Sequence, residues 1–200
     1  AVLACAQHDI KRLVAYTSIS HMGFVVLGIY SAHLLSMQGV VVQMLAHGVS
    51  AAGLFIISGQ LYERLKTRDL NKMGGLSARM TGIPPIAMFF AAASLGLPGL
   101  GNFVGEFLIL VGTFKVNQTV TLFATSGLVL GAVYSLIMVQ RSIHGAPQST
   151  EQLPGINARE LTMMASLILI MVWLGLYPQP VLDTSAAVMS SIEQIITASQ

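Results

Sequence analysis

Charge is what this sequence has least of. Only 9% of its 200 residues are Asp, Glu, Lys or Arg, against 54% hydrophobic, and the mean hydropathy is +0.74. Soluble domains run near 25% charged, so the deficit excludes an ordinary soluble domain and points to an integral membrane protein. Cysteine is nearly missing as well. Cys5 stands alone, which excludes an internal disulfide framework and a thiolate cluster for zinc or iron–sulfur. It reads as a small buried apolar residue. The formal net charge of +2 is too small for a nucleic-acid-binding surface. No initial Met and no basic leader precede the first apolar run. The chain opens in mid-hydrophobic sequence and reads as the C-terminal part of a longer membrane protein.

What is present is a series of apolar runs. A helix needs about 20 apolar residues to cross the hydrocarbon. Between Leu13 and Tyr62 no Asp, Glu, Lys or Arg occurs, which is long enough for two crossings, about Leu13–Tyr30 and Gly39–Gln60. Lys11 and Arg12 mark a membrane boundary ahead of them. Residues 61–80 carry seven charges and form an extramembrane connection. A third span runs from Gly82-Ile83-Pro84-Pro85 to about Leu97, the prolines suiting a first turn. The break Leu97-Pro98-Gly99-Leu100-Gly101-Asn102 follows, then a short segment, Phe103–Phe114. Twelve residues at about 1.5 Å each cover only about 18 Å, so this segment continues a broken helix or ends inside the membrane. Further spans are expected at Thr119–Gln140 and Leu161–Leu176, separated by a polar loop over 144–159. The tail, 181–200, repeats Leu182, Ala186, Met189, Ile192 and Ile196 at helical spacing. That is an amphipathic helix for a membrane or partner surface. The expected fold is thus an all-α, polytopic transmembrane helix bundle of about six membrane segments with one broken helix. Residues 1–180 are the transmembrane domain and 181–200 a surface helix. Counting six separate crossings puts Lys11, Arg12, the 61–80 loop and Lys115 on one side of the membrane.

The chain is organised around Ser94–Lys115, where Glu106 is a lone carboxylate beside the break. Such an acid is costly to ionise in an apolar medium, and broken helices at membrane depth are tolerated where they line a polar cavity. His21 lies mid-span with Thr17 one turn before it. Gln43, His47 and Ser50 form a stripe on the second span, and Asn102, Glu106 and Thr113 lie on one side of the fourth segment. Histidines between helices usually serve as packing residues or interhelical glue. Two of them together with a carboxylate favour a proton relay, since relays in pumps are chains of Asp, Glu and His. Glu106, His21 and His47 are therefore the candidates for proton translocation. Lys11, Thr17, Gln43, Ser50, Asn102 and Thr113 are candidates for a connecting polar path. No His/Cys pair has metal-ligand spacing.

Two stretches carry a family resemblance: Asp9-Ile10-Lys11-Arg12-Leu13-Val14-Ala15-Tyr16-Thr17-Ser18-Ile19-Ser20-His21-Met22-Gly23-Phe24, and Gly99-Leu100-Gly101-Asn102-Phe103-Val104-Gly105-Glu106-Phe107. Ala46-His47-Gly48 and Met73-Gly74-Gly75-Leu76 fit between them. The sequence resembles the antiporter-like, proton-translocating membrane subunits of bacterial NADH–quinone oxidoreductase, respiratory complex I, over essentially its whole length. The resemblance implies a bundle of two inverted repeats, of which this chain holds most of the second. It implies that Glu106 is the acid of the broken helix, where sister subunits carry lysine, and that His21 and His47 belong to the polar path. It also implies coupling of NADH-to-quinone electron transfer to proton pumping in the bacterial inner membrane, with no redox chemistry on this chain. Flavin, iron–sulfur and quinone sites would lie on partner subunits, and the partners would be the antiporter-like neighbours and the lipid bilayer. A cation/proton antiporter subunit, a membrane-bound hydrogenase subunit and a purely structural membrane subunit remain the competing readings.

Overall fold

A computed structural model describes residues 1–147 and 149–198; Gln148 of the polar loop and Ser199–Gln200 of the tail lie outside the described residues. The described residues are mainly helical, joined by short connections except for the loop over 145–157, without a strand. After a short α1 (Val2–Cys5) come α2 (Ile10–Tyr30) and α3 (Leu34–Leu65). Next are a 3₁₀ turn (Leu70–Lys72), a short α4 (Leu76–Arg79), α5 (Ile83–Leu95) and α6 (Gly101–Val116). Then α7 (Gln118–Val139) runs into a π-helical turn at Gln140–His144, and α8 (Ala158–Leu176) and α9 (Gln179–Ala198) complete the order. Helices α2, α3, α7 with its extension, and α8 are long and apolar enough to cross a membrane.

Each boundary has a local cause. Asp9 caps α2 by accepting from the Arg12 N–H. The connection between α2 and α3 is shorter than expected, because α3 already starts at Leu34. The His33 ring accepts from the Leu35 N–H, and the Glu193 carboxylate of α9 accepts from the Leu34 N–H at 2.8 Å. Leu65 ends α3, with Lys66 in the left-handed conformation as cap. Asn157 and Glu160 form a capping box that opens α8. Cys5 is half-buried.

Helix α3 is the spine, and α5 and α6 lie end to end along it. Phe90 of α5 packs on Gly53. Then Gly101 meets Ala46, Gly105 meets Gln43, Ile109 meets Gly39, and Gly112 meets Ser36. These contacts march steadily down α3, so the two pieces are one discontinuous crossing antiparallel to it. The six membrane segments therefore make five crossings. The break spans 96–100: Gly96, at φ +79, caps α5, two residues before Pro98. Gly101, which reads in sequence as part of the break, lies inside α6 together with Gly105. They serve close approach instead, since a Cβ on Gly105 would stand 2.7 Å from Gln43 Cα.

Counting five crossings separates the two ends of the bundle. At one end Ile10 N–H bonds to Arg68 O, and Leu153 N–H bonds to Arg79 O. Arg64 holds Glu160 with both terminal nitrogens, at 3.2 and 2.8 Å, and also binds the Pro154 and Gly155 carbonyls. Nine of the ten basic residues of the chain lie at this end or in the helix turns beside it. Lys115 does not. It sits in the last turn of α6 at the opposite end, which corrects the grouping obtained from six separate crossings. That opposite end also holds the 31–33 connection and α9, which crosses the first turns of α3 with Gln38 near Leu182 and Leu34 on Glu193. Helix α9 keeps Val181, Leu182, Ala186 and Met189 half-buried, and exposes Val188, Ile192 and Ile195.

Candidate functional site

The middle of the bundle holds a polar cluster built from four membrane segments. His21 is near the centre of α2, about 15 Å of helix rise from either end. Its Nδ1 lies 2.7 Å from Glu106 Oε1, and both side chains are nearly sealed, with each residue 3% exposed. The carboxylate sits in the second turn of α6, just past the break, with Oε2 against Gly96, where a Cβ would approach to 3.0 Å. Gln43 of α3 donates its Nε2–H to the same Oε1 at 3.1 Å. On the other side of the ring, His21 Nε2 meets the Tyr134 hydroxyl of α7 at 3.1 Å and Ser94 Oγ of α5 at 3.2 Å. The His47 ring lies 5.0 Å from the His21 ring, centroid to centroid.

This hydrogen-bond pattern fixes what the ring can do. Gln43 donates to Glu106 Oε1; a protonated Glu106 donates to an unprotonated His21 Nδ1, whereas an ionised one accepts from His21 Nδ1–H. A neutral His21 then accepts the Tyr134 or Ser94 hydroxyl proton at Nε2, and an imidazolium donates to one of them. Both ring nitrogens are in contact with groups that exchange protons. The ring can therefore take a proton on one side and give one up on the other. Removing either partner of the buried pair would leave the other uncompensated, a cost of about 3–5 kcal/mol.

The break is held open by a second set of bonds. Asn102, fully buried, donates Nδ2–H to the Ala93 carbonyl at 3.0 Å and to Ser50 Oγ at 3.0 Å. Ala93 O, in the last turn of α5, also accepts the Gly96 N–H at 3.1 Å, so Asn102 supplies its second bond. Asn102 therefore staples α6 to the last turn of α5 and to α3. The Nδ1 of His47 and the Oε1 of Gln43 are buried without a partner among the described residues.

Of the residues singled out in sequence, His21, His47, Gln43 and Glu106 come together here, with Ser50 and Asn102 next to them. Thr17 is buried one turn below His21, its hydroxyl on its own helix at Val14 O. Thr113 likewise donates to Ile109 O and lies seven residues beyond Glu106 on α6. Lys11 is exposed at the basic end, more than two helical turns from His21, and does not reach the cluster. Tyr134 and Ser94 were missed. Tyrosine collects at membrane interfaces, so a tyrosine deep in an apolar span was the available signal for Tyr134. Ser94 closes the helix before the break and carried no comparable mark. Among the described residues no group of three His, Cys, Asp or Glu could hold a metal.

The sequence family described as NADH:quinone oxidoreductase/Mrp antiporter, transmembrane, matches residues 1–131. NADH-quinone oxidoreductase subunit M of Pseudomonas aeruginosa is 61% identical over 99% of this chain and 39% of its own length. Subunit M of Escherichia coli K12 is 54% identical over 97% of this chain and 39% of its own length. The chain thus spans about two-fifths of the length of these relatives. A chain of respiratory complex I from Thermus thermophilus superposes with a TM-score of 0.89 at 29% identity, covering 96% of this chain and 41% of that one. A chain of an archaeal membrane-bound sulfane sulfur reductase shares the fold, with a TM-score of 0.79 at 22% identity over 87% of this chain and 29% of its own. The matched family covers the discontinuous helix, both histidines and Glu106, and the chain belongs to the NADH:quinone oxidoreductase/Mrp antiporter transmembrane family.

Proposed function

We propose that the chain works in a proton-translocating membrane subunit of NADH–quinone oxidoreductase, of the subunit M kind, in the bacterial inner membrane. The observation that carries the proposal is the hydrogen-bonded series Glu106–His21–Tyr134 beside a helix break at mid-bundle. A proton on Glu106 passes to His21 Nδ1 as the Nε2 proton leaves toward the Tyr134 hydroxyl. Gln43 holds the carboxylate in place throughout, and His47 supplies a second titratable ring beside the first. Asn102 keeps the two half-helices at the spacing this requires.

Under this reading the chain supplies proton transfer and no redox step. Flavin, iron–sulfur and quinone chemistry are assigned to partner subunits, and the outer faces of α7 and α8 meet lipid or antiporter-like neighbours. The concentration of basic residues at one end makes that end cytoplasmic by the positive-inside rule and puts α9 on the opposite face. The test is NADH-driven proton uptake by membrane vesicles carrying Glu106→Gln in the full-length subunit. Normal assembly with a severe loss of uptake supports the reading. Uptake at the parental rate would assign the cluster to helix packing alone.

A further inference from the structure

Helix α3 is gripped on two faces over about its first three turns. Ser36, Gly39, Gln43 and Ala46 meet α6, at Gly112, Ile109, Gly105 and Gly101 in turn. Leu34, Gln38, Val41 and Leu45 form a second stripe, each two residues from a member of the first and so about 200° round the helix from it. That stripe meets α9. Leu34 lies on Glu193, the Gln38 side-chain nitrogen is 3.5 Å from the Leu182 carbonyl, and Val41 and Leu45 border one groove with Val181 and Ser185.

The Glu193 contact does specific work. The first N–H groups of a helix have no partner within it. His33 serves the Leu35 N–H locally, whereas the Leu34 N–H is served from 159 positions away, by Glu193 Oε1 at 2.8 Å. A carboxylate at that place is favoured by the helix dipole and makes a charge-assisted bond. Glu193 is half-buried. Val181 and Leu182 hold the other end of α9, about 16 Å of helix rise away. The tail is therefore attached to α3 near both of its own ends.

We infer that α9 is a clamp that holds α3 against α6 and so keeps Gln43 on Glu106, with Glu193 as the positioning residue that closes it. The inference rests on the proton-translocation reading above. Gln43 is on the α6 face of α3, level with Val41 and Leu45 on the α9 face, and donates to Glu106 Oε1 at 3.1 Å. Glycine lets α6 come close, since a Cβ on Gly39 would stand 2.7 Å from Ile109 N, and α9 closes the opposite side. With Glu193 released, the first turns of α3 are free to move off α6, and the Gln43–Glu106 bond lengthens.

The test uses the full-length subunit in the assembled complex, with NADH-driven proton uptake by vesicles expressed per assembled complex, as counted on native gels. Glu193→Ala should lower uptake roughly tenfold, short of the roughly 100-fold that a misplacement of about 1 Å can cost. Glu193→Gln, which keeps an oxygen for the Leu34 N–H, should retain about half of the parental uptake or more. Leu34→Pro removes the donor instead. Proline suits the first helical position, and His33 before it is already extended at φ −100 and ψ 136. Leu34→Pro should match Glu193→Ala, and the two together should lose no more than either alone. Gln43→Ala should likewise mask the effect of Glu193→Ala, which separates positioning from general bracing. Four results would overturn the inference: parental uptake in Glu193→Ala or Leu34→Pro, equal losses in the two residue-193 variants, additive losses in either double variant, or failure of both Glu193→Ala and Leu34→Pro to assemble. Glu106→Gln run in parallel separates the two claims. Parental uptake there sinks the proton-translocation reading itself, whereas loss there with parental uptake in Glu193→Ala sinks only the clamp.

Discussion

Gly105→Ala tests how Glu106 is positioned. The added Cβ would stand 2.6 Å from Gln43 Oε1 and 2.7 Å from Gln43 Cα. Ordinary carbon contacts are about 3.5–4.0 Å, and the Cα belongs to the backbone of α3 and cannot swing aside. Helices α3 and α6 must therefore part by about 1 Å. That stretches the Gln43–Glu106 hydrogen bond from 3.1 Å beyond useful range. Overpacking costs about 1–3 kcal/mol and the lost bond to a charged group about 1.5–3 kcal/mol. The gain in helix propensity returns up to about 1 kcal/mol, leaving a net destabilisation of about 1.5–6 kcal/mol. A misplacement of about 1 Å can also lower a rate by about 100-fold. The assay is thermal stability of the detergent-solubilised complex together with NADH-driven proton uptake. Parental stability and parental uptake in Gly105→Ala would refute the claim that close approach of α6 to α3 sets the carboxylate.

The remaining predictions concern the break, the basic end and the orientation. Asn102→Ala removes the side-chain donor to Ser50 and one of the two donors to the Ala93 carbonyl, which keeps the Gly96 N–H, and should destabilise the bundle by roughly 1–3 kcal/mol while lowering uptake; thermal melting equal to the parent would show that Asn102 is no staple. Arg64→Lys loses the two-nitrogen grip on Glu160 and the two carbonyl bonds of the 154–155 turn, so the melting transition should drop by an amount equivalent to about 2 kcal/mol, with an unchanged melt counting against it. For orientation, Ser191→Cys should react with a membrane-impermeant thiol reagent added outside intact spheroplasts, and Asn71→Cys only after the membrane is opened; the reverse pattern would invert the proposed topology.

Much of this was legible in sequence for a physical reason. Charge in an apolar span is expensive, so Glu106 and the two uncharged, histidine-bearing spans stood out against their background. Pro98 among glycines placed the break within two or three residues of its position. What sequence could not supply was pairing between segments. Nothing local says that Glu106 faces His21 across 85 positions, or that Asn102 turns back to Ala93. The end-to-end stacking of α5 and α6 was open for the same reason, and it decides on which side Lys115 falls. Residue 101 looked like a breaker because glycine serves both turns and close helix packing. Tyr134 and Ser94 were hidden by sitting in apolar helices, where one hydroxyl looks like any other packing residue.

The central claim is that Glu106 binds and releases a proton during turnover. It is tested most directly by NADH-driven proton uptake in vesicles carrying Glu106→Gln or Glu106→Asp, with assembly measured alongside. Glutamine keeps the shape and one acceptor for His21 and Gln43 but cannot titrate; aspartate titrates, and a water can bridge its shorter reach. The account predicts normal assembly for both, a severe loss of uptake for glutamine and substantial uptake for aspartate. Parental uptake by Glu106→Gln would contradict it.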